Sequence, residues 1–163
     1  MAHAVVSIDC MTDGDVSEVS RIAAPLHMDE HQLRDELSRP WATIDVAREH
    51  GVGIVGFINT WLVVDELQIL QLATRHDRRR CGIARRLLED AIARARKRGA
   101  CCACLETRRA NIAALRLYEA SGFATARIRK GYYPDGEDAV EMSLQFEPDT
   151  SPDSLAEAFL VHR

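Results

Sequence analysis

Leu72-Ala73-Thr74, followed by Arg79-Arg80-Cys81-Gly82-Ile83-Ala84-Arg85, is the stretch whose reading decides the fold. Leu67 to Thr74 is an apolar run of strand length, and from Ile83 onward Leu87, Leu88, Ala91, Ile92 and Ala95 recur at helical spacing. Between them lies a short basic loop with one glycine. A strand, a tight loop and a helix start leave several backbone N–H groups without helical partners, and the helix dipole adds partial positive charge there. Gly82 lets the main chain approach a ligand without a Cβ, and Ala84 is the next smallest choice. The arginines from Arg75 to Arg86 raise the local potential. The segment reads either as a pyrophosphate-binding turn or as a solvated helix start whose charges serve solubility. The Lys of a GxxxxGK[ST] phosphate loop and the GxGxxG pattern are both missing, which disfavours an NTPase and a dinucleotide fold.

Working outward, Lys97-Arg98-Gly99 closes the long helix with cations in its last turn and a C′ glycine. Upstream, Ala4 to Ile8 reads as a first strand. Asp13-Gly14-Asp15 supplies a turn and cap for a helix over Val16, Val19, Ile22 and Ala23, ended by Pro25. A second helix is predicted from Asp29 to Leu37. Strand-like runs follow at Thr43–Ala47, Val52–Ile58 and Trp61–Asp65, joined by turns at Glu49–Gly51 and Asn59-Thr60, so they are expected to be antiparallel neighbours. Downstream come a strand over Cys101–Thr107, a helix over Asn111–Ala120 closed by Gly122, and a strand over Phe123–Arg129. Ala139 to Phe146 alternates, with Val140, Met142, Leu144 and Phe146 on one face, a half-buried antiparallel strand. Residues 148–163 form a polar linker and a short helix or mobile tail, with Ser154 and Glu157 at capping-box spacing. The expected architecture is mixed α/β: one domain over residues 1–147, with about seven mostly antiparallel strands in a partly splayed sheet and about four flanking helices.

The 163 residues suit one domain, and 47% apolar with 28% charged residues is globular composition. The longest apolar run, Val52 to Ile58, falls far short of the about 20 residues that span a bilayer. The N-terminal decapeptide has no basic n-region and no long h-region, so a cytoplasmic chain with reduced thiols is expected. The net charge of −4 hides a polarity: residues 75–130 hold 16 of the 21 basic residues and only 5 of the 25 acidic ones. A middle segment that meets an anion and flanks that meet a cation fit this split, whereas a nucleic-acid binder is more often basic throughout. Cys101-Cys102-Ala103-Cys104 invites a metal hypothesis, but no His lies beside it and zinc sites normally draw four ligands from wider spacings. These cysteines read as strand residues, and no metal is expected. Cys81, with no paired His in the sequence around it, does not read as a nucleophile.

Arg79-Arg80-Cys81-Gly82-Ile83-Ala84 resembles the [QR]xxGx[GA] acetyl-CoA motif of the GNAT acetyltransferases. Leu105-Glu106-Thr107-Arg108, Asn111, Leu117-Tyr118-Glu119 and Gly122-Phe123 resemble more narrowly the RimI branch, as does Arg129-Lys130-Gly131-Tyr132-Tyr133-Pro134 followed by Glu137-Asp138-Ala139. The resemblance spans roughly residues 50–146. It implies acetyl-CoA as co-substrate, contacted by Leu72, Ala73 and Thr74, by Arg79 to Arg85, and by Asn111 and Tyr118. It also implies Glu106 as general base, Tyr118 as general acid, Tyr132 in the peptide groove, and a protein N-terminus, that of a ribosomal protein, as acceptor. Neither membrane nor nucleic acid is an expected partner, and a monomer or weak dimer is expected. Three positions depart from the pattern: Ala84 for a frequent glycine, Thr107 for an aliphatic residue, and Leu26-His27 where an aromatic often accompanies the proline.

The chemistry can be weighed apart from the resemblance. Acetyl transfer from a thioester needs a neutral amine, a polarised carbonyl and a proton for the departing thiolate. An α-amino group has a pKa of about 7.7–8.0, so a carboxylate acting directly or through water can take its proton. Glu106 sits on an otherwise apolar strand, as a base or as a strand-end residue paired with Arg108 or Arg109. Tyr118 is an acid or a core aromatic. Asn111 is a cofactor contact or merely an N-cap. A break in pairing between the two middle strands would free N–H groups near Leu72–Thr74 for the carbonyl oxygen. Asp29-Glu30, Asp35-Glu36, Asp135 and Glu137-Asp138 are either attractors of a cationic N-terminus or solvated charges. The alternatives in function are a GNAT enzyme for a small amine or lysine side chain, and a non-catalytic CoA- or RNA-associated module.

Overall fold

The computed structural model describes residues 5–147; the linker and helix expected over 148–163 lie outside the described residues. In chain order the elements are β1 (Val6–Cys10), α1 (Val16–Ala23), α2 (Glu30–Leu37), β2 (Ala42–Glu49), β3 (Gly53–Val63), β4 (Glu66–Thr74), α3 (Ile83–Lys97), β5 (Cys102–Arg108), α4 (Ile112–Ala120), β6 (Ala124–Arg129) and β7 (Ala139–Gln145). The seven strands form one sheet in the order β1-β2-β3-β4-β5-β7-β6. Every neighbouring pair is antiparallel except β4 and β5.

Each helix announces its apolar face. Val16, Val19, Ile22 and Ala23 of α1 are buried with Leu33 of α2 against Ile44, Val46, Ile54 and Phe57 on one side of the sheet. Ile83, Leu87, Leu88, Ala91 and Ala95 of α3 pack on the other side with Ile58, Ile69, Leu105 and Tyr118. A fully buried Leu or Ile contributes roughly 1.5–3 kcal/mol, so these two layers carry the fold. Arg94 of α3 also reaches across to pair with Asp45 of β2, a carboxylate only 1% exposed, whose carboxyl burial holds above its usual range.

One expected turn proves to be strand. Asn59-Thr60 lies inside an unbroken β3, opposite Ile44 and Thr43 on one side and Gln71 and Ile69 on the other. Two-sided pairing and hydrogen bonds from Asn59 to Glu36 and Gln71 outweigh the turn propensity of the dipeptide. The reversal comes instead after Val63, where Val64 takes φ 57°. Cys102 and Cys104 are strand residues as expected, half-buried because Ala103 and Leu105 take the core-facing positions of β5, whereas Cys101 lies just before the strand and is exposed.

Two irregularities in β4 shape the centre of the molecule. Its parallel ladder with β5 pairs only Glu66–Ile69 with Cys102–Leu105, so from Leu70 onward β4 has no partner on that side. Leu70 is also the extra residue of a β-bulge, since Asn59 faces Gln71 whereas Thr60 faces Ile69. The bulge reverses the in–out phase of the strand: Leu67, Ile69 and then Leu72 all join the α3 layer, and Ala73 turns to the α1 layer.

Gly56 sets how closely the start of α3 approaches this strand. A Cβ there would stand 3.0 Å from the Ala73 carbonyl oxygen, 3.0 Å from Ile83 Cγ2 and 3.2 Å from Thr74 Cγ2. Gly56→Ala is expected to destabilise the fold by about 1–3 kcal/mol through overpacking. Urea unfolding measures it, and an unchanged midpoint would show that this contact relaxes freely.

Candidate active site

The turn into α3 presents a run of donors. No backbone N–H from Arg80 through Arg85 donates a hydrogen bond to any described residue; the first helical bond runs from the Arg86 N–H to the Gly82 carbonyl. Arg80 (φ 61°) and Gly82 (φ 76°) are left-handed, which turns successive amides into one concavity of the kind that cradles phosphates. Gly82 is the N-cap, and a Cβ added to it would meet nothing within 4 Å. Open space lies in front of it.

The surrounding arginines divide into two groups. Arg75 forks onto Asp77 at 2.7 and 3.0 Å, Arg78 holds Glu49 at 2.6 Å, Arg85 holds Glu89 at 2.7 Å, and Arg86 donates to the Val6 carbonyl at 2.8 Å. Arg79 and Arg80 have no ion-pair partner among the described residues, so their charge is left to the amide run between them and the helix. Cys81 is exposed, its Sγ 3.5 Å from the Arg79 carbonyl.

Glu106 lies on β5 just beyond its pairing with β4, and Tyr118 lies on the opposite face of the sheet, in the α3 layer. Leu105 and Ala103 point into the α3 layer, so the pleat turns Glu106 to the α1 face. Its carboxylate accepts a hydrogen bond from the Tyr133 hydroxyl at 3.4 Å and lies 3.9 Å from Arg129, with 30% of the side chain exposed. The strand-end pairings with Arg108 and Arg109 do not form. Those arginines hold Asp135, Glu137 and Asp138 at 2.7–2.9 Å. Tyr118 is 7% exposed within the α3 layer, its ring edge-on to Phe123 at 5.7 Å between centroids. Burial pushes its hydroxyl up to about 12, and that hydroxyl has no hydrogen-bond partner among the described residues.

The residues expected on the acceptor side make specific contacts within the molecule. Asp135, Glu137 and Asp138 are occupied in clipping the β6–β7 loop to the β5–α4 turn, with Glu137 also accepting from the Ala110 N–H and Asp138 from the Gly131 N–H. Two guanidiniums, those of Arg108 and Arg109, hold these three carboxylates. The tyrosine that touches Glu106 is Tyr133; Tyr132, half exposed, stands edge-on to it at 5.3 Å with Arg129 over its ring. Adjacent tyrosines in a loop carry no periodicity that could have separated them. Asn111 is the N-cap of α4, accepting from the Ala114 N–H at 3.2 Å.

A cleft of about 430 Å³ opens on the α1 face, lined by His27, Glu36, Asn59, Trp61, Leu70 and Gln71 among others. Leu70 places its mouth at the bulge where β4 leaves β5. His27, at φ 56°, marks the sharp turn between α1 and α2 that forms one wall. Among the described residues no group of three His, Cys, Asp or Glu side chains is placed to hold a metal ion, and no helix is long and apolar enough to cross a membrane.

A sheet parted beside its one parallel pair, with an unfilled amide run at the facing helix, defines a class of protein: residues 11–123 match the acetyltransferase (GNAT) family, and the chain belongs to it. The narrower likeness is to the RimI branch. Over 94 residues the chain is 44% identical to the [ribosomal protein bS18]-alanine N-acetyltransferase of Escherichia coli (strain K12), covering 56% of this chain and 64% of that protein. It thus spans just under two thirds of that relative. A Bacillus subtilis (strain 168) protein provisionally given the same name is 32% identical over 128 residues, 77% of this chain and 82% of that one. The crystal structure of the ribosomal-protein-S18-alanine N-acetyltransferase from Escherichia coli superposes with a TM-score of 0.77 at 29% identity, over 90% of this chain and 99% of that one.

Proposed function

We propose that the chain transfers an acetyl group from acetyl-CoA to the N-terminal α-amine of a protein, as the names of its bacterial relatives describe for the alanine of a ribosomal protein. The observation that carries this reading is the run of undonated amides at 80–85 beside the gap between β4 and β5. In it the amides from Arg80 to Arg85, with Arg79 and Arg80, bind the pyrophosphate. Leu72–Thr74 flank the pantetheine arm and offer main-chain donors to the thioester carbonyl on the side where β5 is missing. Residues 1–147 then form one acetyltransferase domain.

The reaction needs no covalent enzyme intermediate. Glu106, directly or through one water, takes a proton from the α-ammonium and releases it to solvent; the freed nitrogen attacks the carbonyl carbon, and as the tetrahedral centre collapses the C–S bond breaks and the nitrogen gives up its second proton to water. Tyr118 approaches the sulfur from the α3 face and supplies its hydroxyl proton. A hydroxyl near 12 gives its proton to a thiolate of ordinary pKa near 8.5 at an uphill cost of about 5 kcal/mol. Tyr118 therefore acts first as the hydrogen-bond donor that stabilises the leaving sulfur, with transfer completed as water returns.

An Ala-initiated peptide, a lysine-bearing peptide with a blocked N-terminus and a polyamine, each assayed with acetyl-CoA, test the reading. Turnover is expected on the first; turnover confined to either of the others overturns the α-amine assignment. Gly82→Glu puts a carboxylate into the open space before the amides and strains a left-handed position. It is expected to weaken acetyl-CoA binding about 10-fold or more, a loss of about 1.4 kcal/mol or greater. Calorimetry returning the unaltered affinity would reject the phosphate placement.

A further inference from the structure

Glu106 shares its face of the sheet with a second carboxylate. Its registered partner across the β5–β7 seam is Glu141, and like charges set opposite each other on neighbouring strands destabilise the pair. Arg129 of β6 stands against both. Its Nη2 lies 2.5 Å from Glu141 and its Nη1 3.9 Å from Glu106, with the guanidinium 5.2 Å from the centroid of the Tyr132 ring. The two distances divide it unequally: Arg129 is held by Glu141 and stops short of Glu106. Its Nε is buried and donates to no described residue, so the guanidinium keeps a donor to spare.

The other groups facing Glu106 leave this balance to Arg129. Tyr133 donates its hydroxyl to Glu106 at 3.4 Å and brings no charge. Arg108, two residues along β5 on the same face, is held by Asp135 and Glu137. Cys104, two residues the other way, turns its thiol to Glu66 at 3.1 Å. Arg127, opposite Glu141 in register, is exposed and makes no ion pair among the described residues. On the β4 side the ladder has already ended at Ile69. Glu106, Glu141 and Arg129 therefore form a contact set with one negative charge in excess.

We propose that Glu141 is a positioning residue for the base: by holding Arg129 it keeps the Glu106 carboxylate open to the incoming α-ammonium. The inference rests on the reading of Glu106 as base given above. A carboxylate gripped by a guanidinium has its lone pairs occupied by N–H donors and its charge offset, so it is a poor partner for a second cation and a poor proton acceptor. With Glu141 in place, the excess negative charge of the set is left to Glu106. Without it, Arg129 has one carboxylate within reach, and that carboxylate is Glu106. Arg129 is then an inhibitor of the base rather than a bystander.

The test is a pair of replacements made in sequence on the full chain, assayed with an Ala-initiated peptide and acetyl-CoA. Glu141→Gln is expected to lower kcat/KM about 10-fold, with acetyl-CoA affinity kept within about 2-fold. Adding Arg129→Met to that variant is expected to restore kcat/KM to within about 3-fold of the unaltered protein, because the cation that quenched the base is gone. A merely structural role for Glu141 predicts the reverse, a double variant as slow as Glu141→Gln or slower, and that result overturns the inference. An unaltered rate in Glu141→Gln overturns it as well. Thermal unfolding identifies the folded variants; should Glu141→Gln not fold, Glu141→Asp, which shortens the reach to Arg129, is expected to give a smaller loss that Arg129→Met also reverses. Failure of this series while Glu106→Gln remains slow strikes Glu141 alone, whereas Glu106→Gln at the unaltered rate removes the base reading and this inference with it.

Discussion

Tyr118→Phe is expected to lower kcat about 10²-fold or more while leaving acetyl-CoA affinity within about 2-fold. The ring stays, so the edge-on contact with Phe123 and the packing against the α3 layer persist; only the hydroxyl, which no described residue binds, is lost. Steady-state rates with calorimetry separate the two quantities, and a Phe variant turning over at the unaltered rate removes Tyr118 from the chemistry. A second readout comes from stability. The folded hydroxyl is raised from 10 to about 12, so the folded state holds this proton more tightly than the unfolded chain does. Stability is therefore full below pH 10 and declines between pH 10 and about 12, by about 3 kcal/mol. The Phe variant lacks that alkaline loss.

Glu106→Gln is expected to reduce kcat/KM about 10²-fold near neutrality, with a signature that separates a lost base from a lost contact. The acceptor amine has a pKa of about 7.7–8.0, so it deprotonates by itself as pH rises and depends less on an enzymic base. The defect is expected to shrink steadily toward pH 9. A defect equal at pH 6.5 and pH 9 would assign Glu106 to positioning rather than to proton removal. Gln keeps an oxygen for the Tyr133 hydroxyl, which guards against loop displacement as the cause.

The parts of the fold legible in the sequence were those written as period. The α3 face of Ile83, Leu87, Leu88, Ala91 and Ala95, the Gly99 cap and the alternating β7 lie where spacing put them. Asn59-Thr60 failed because turn propensity is a local quantity, whereas its place in β3 is set by strands on both sides and by a carboxylate on α2. The amide turn at 80–85 could be read because its chemistry is main-chain and its loop contiguous. The acceptor side could not. Arg108 and Arg109 with the acidic β6–β7 loop, Tyr133 with Glu106, and Glu36 with Asn59 and Gln71 are all meetings of residues distant in sequence. The residues carried charge or polarity enough to be noticed, but only topology chooses their partners.

Four residue pairs join β4 to β5, against seven or eight across the other interior seams from β2–β3 to β5–β7. A sheet yields where fewest bonds resist, so the molecule has a spine, with β1–β4 as one leaf and β5–β7 as the other. In the proposed reaction the thioester arm lies along that spine, and Glu106 on β5 and Tyr118 on α4 both belong to the second leaf.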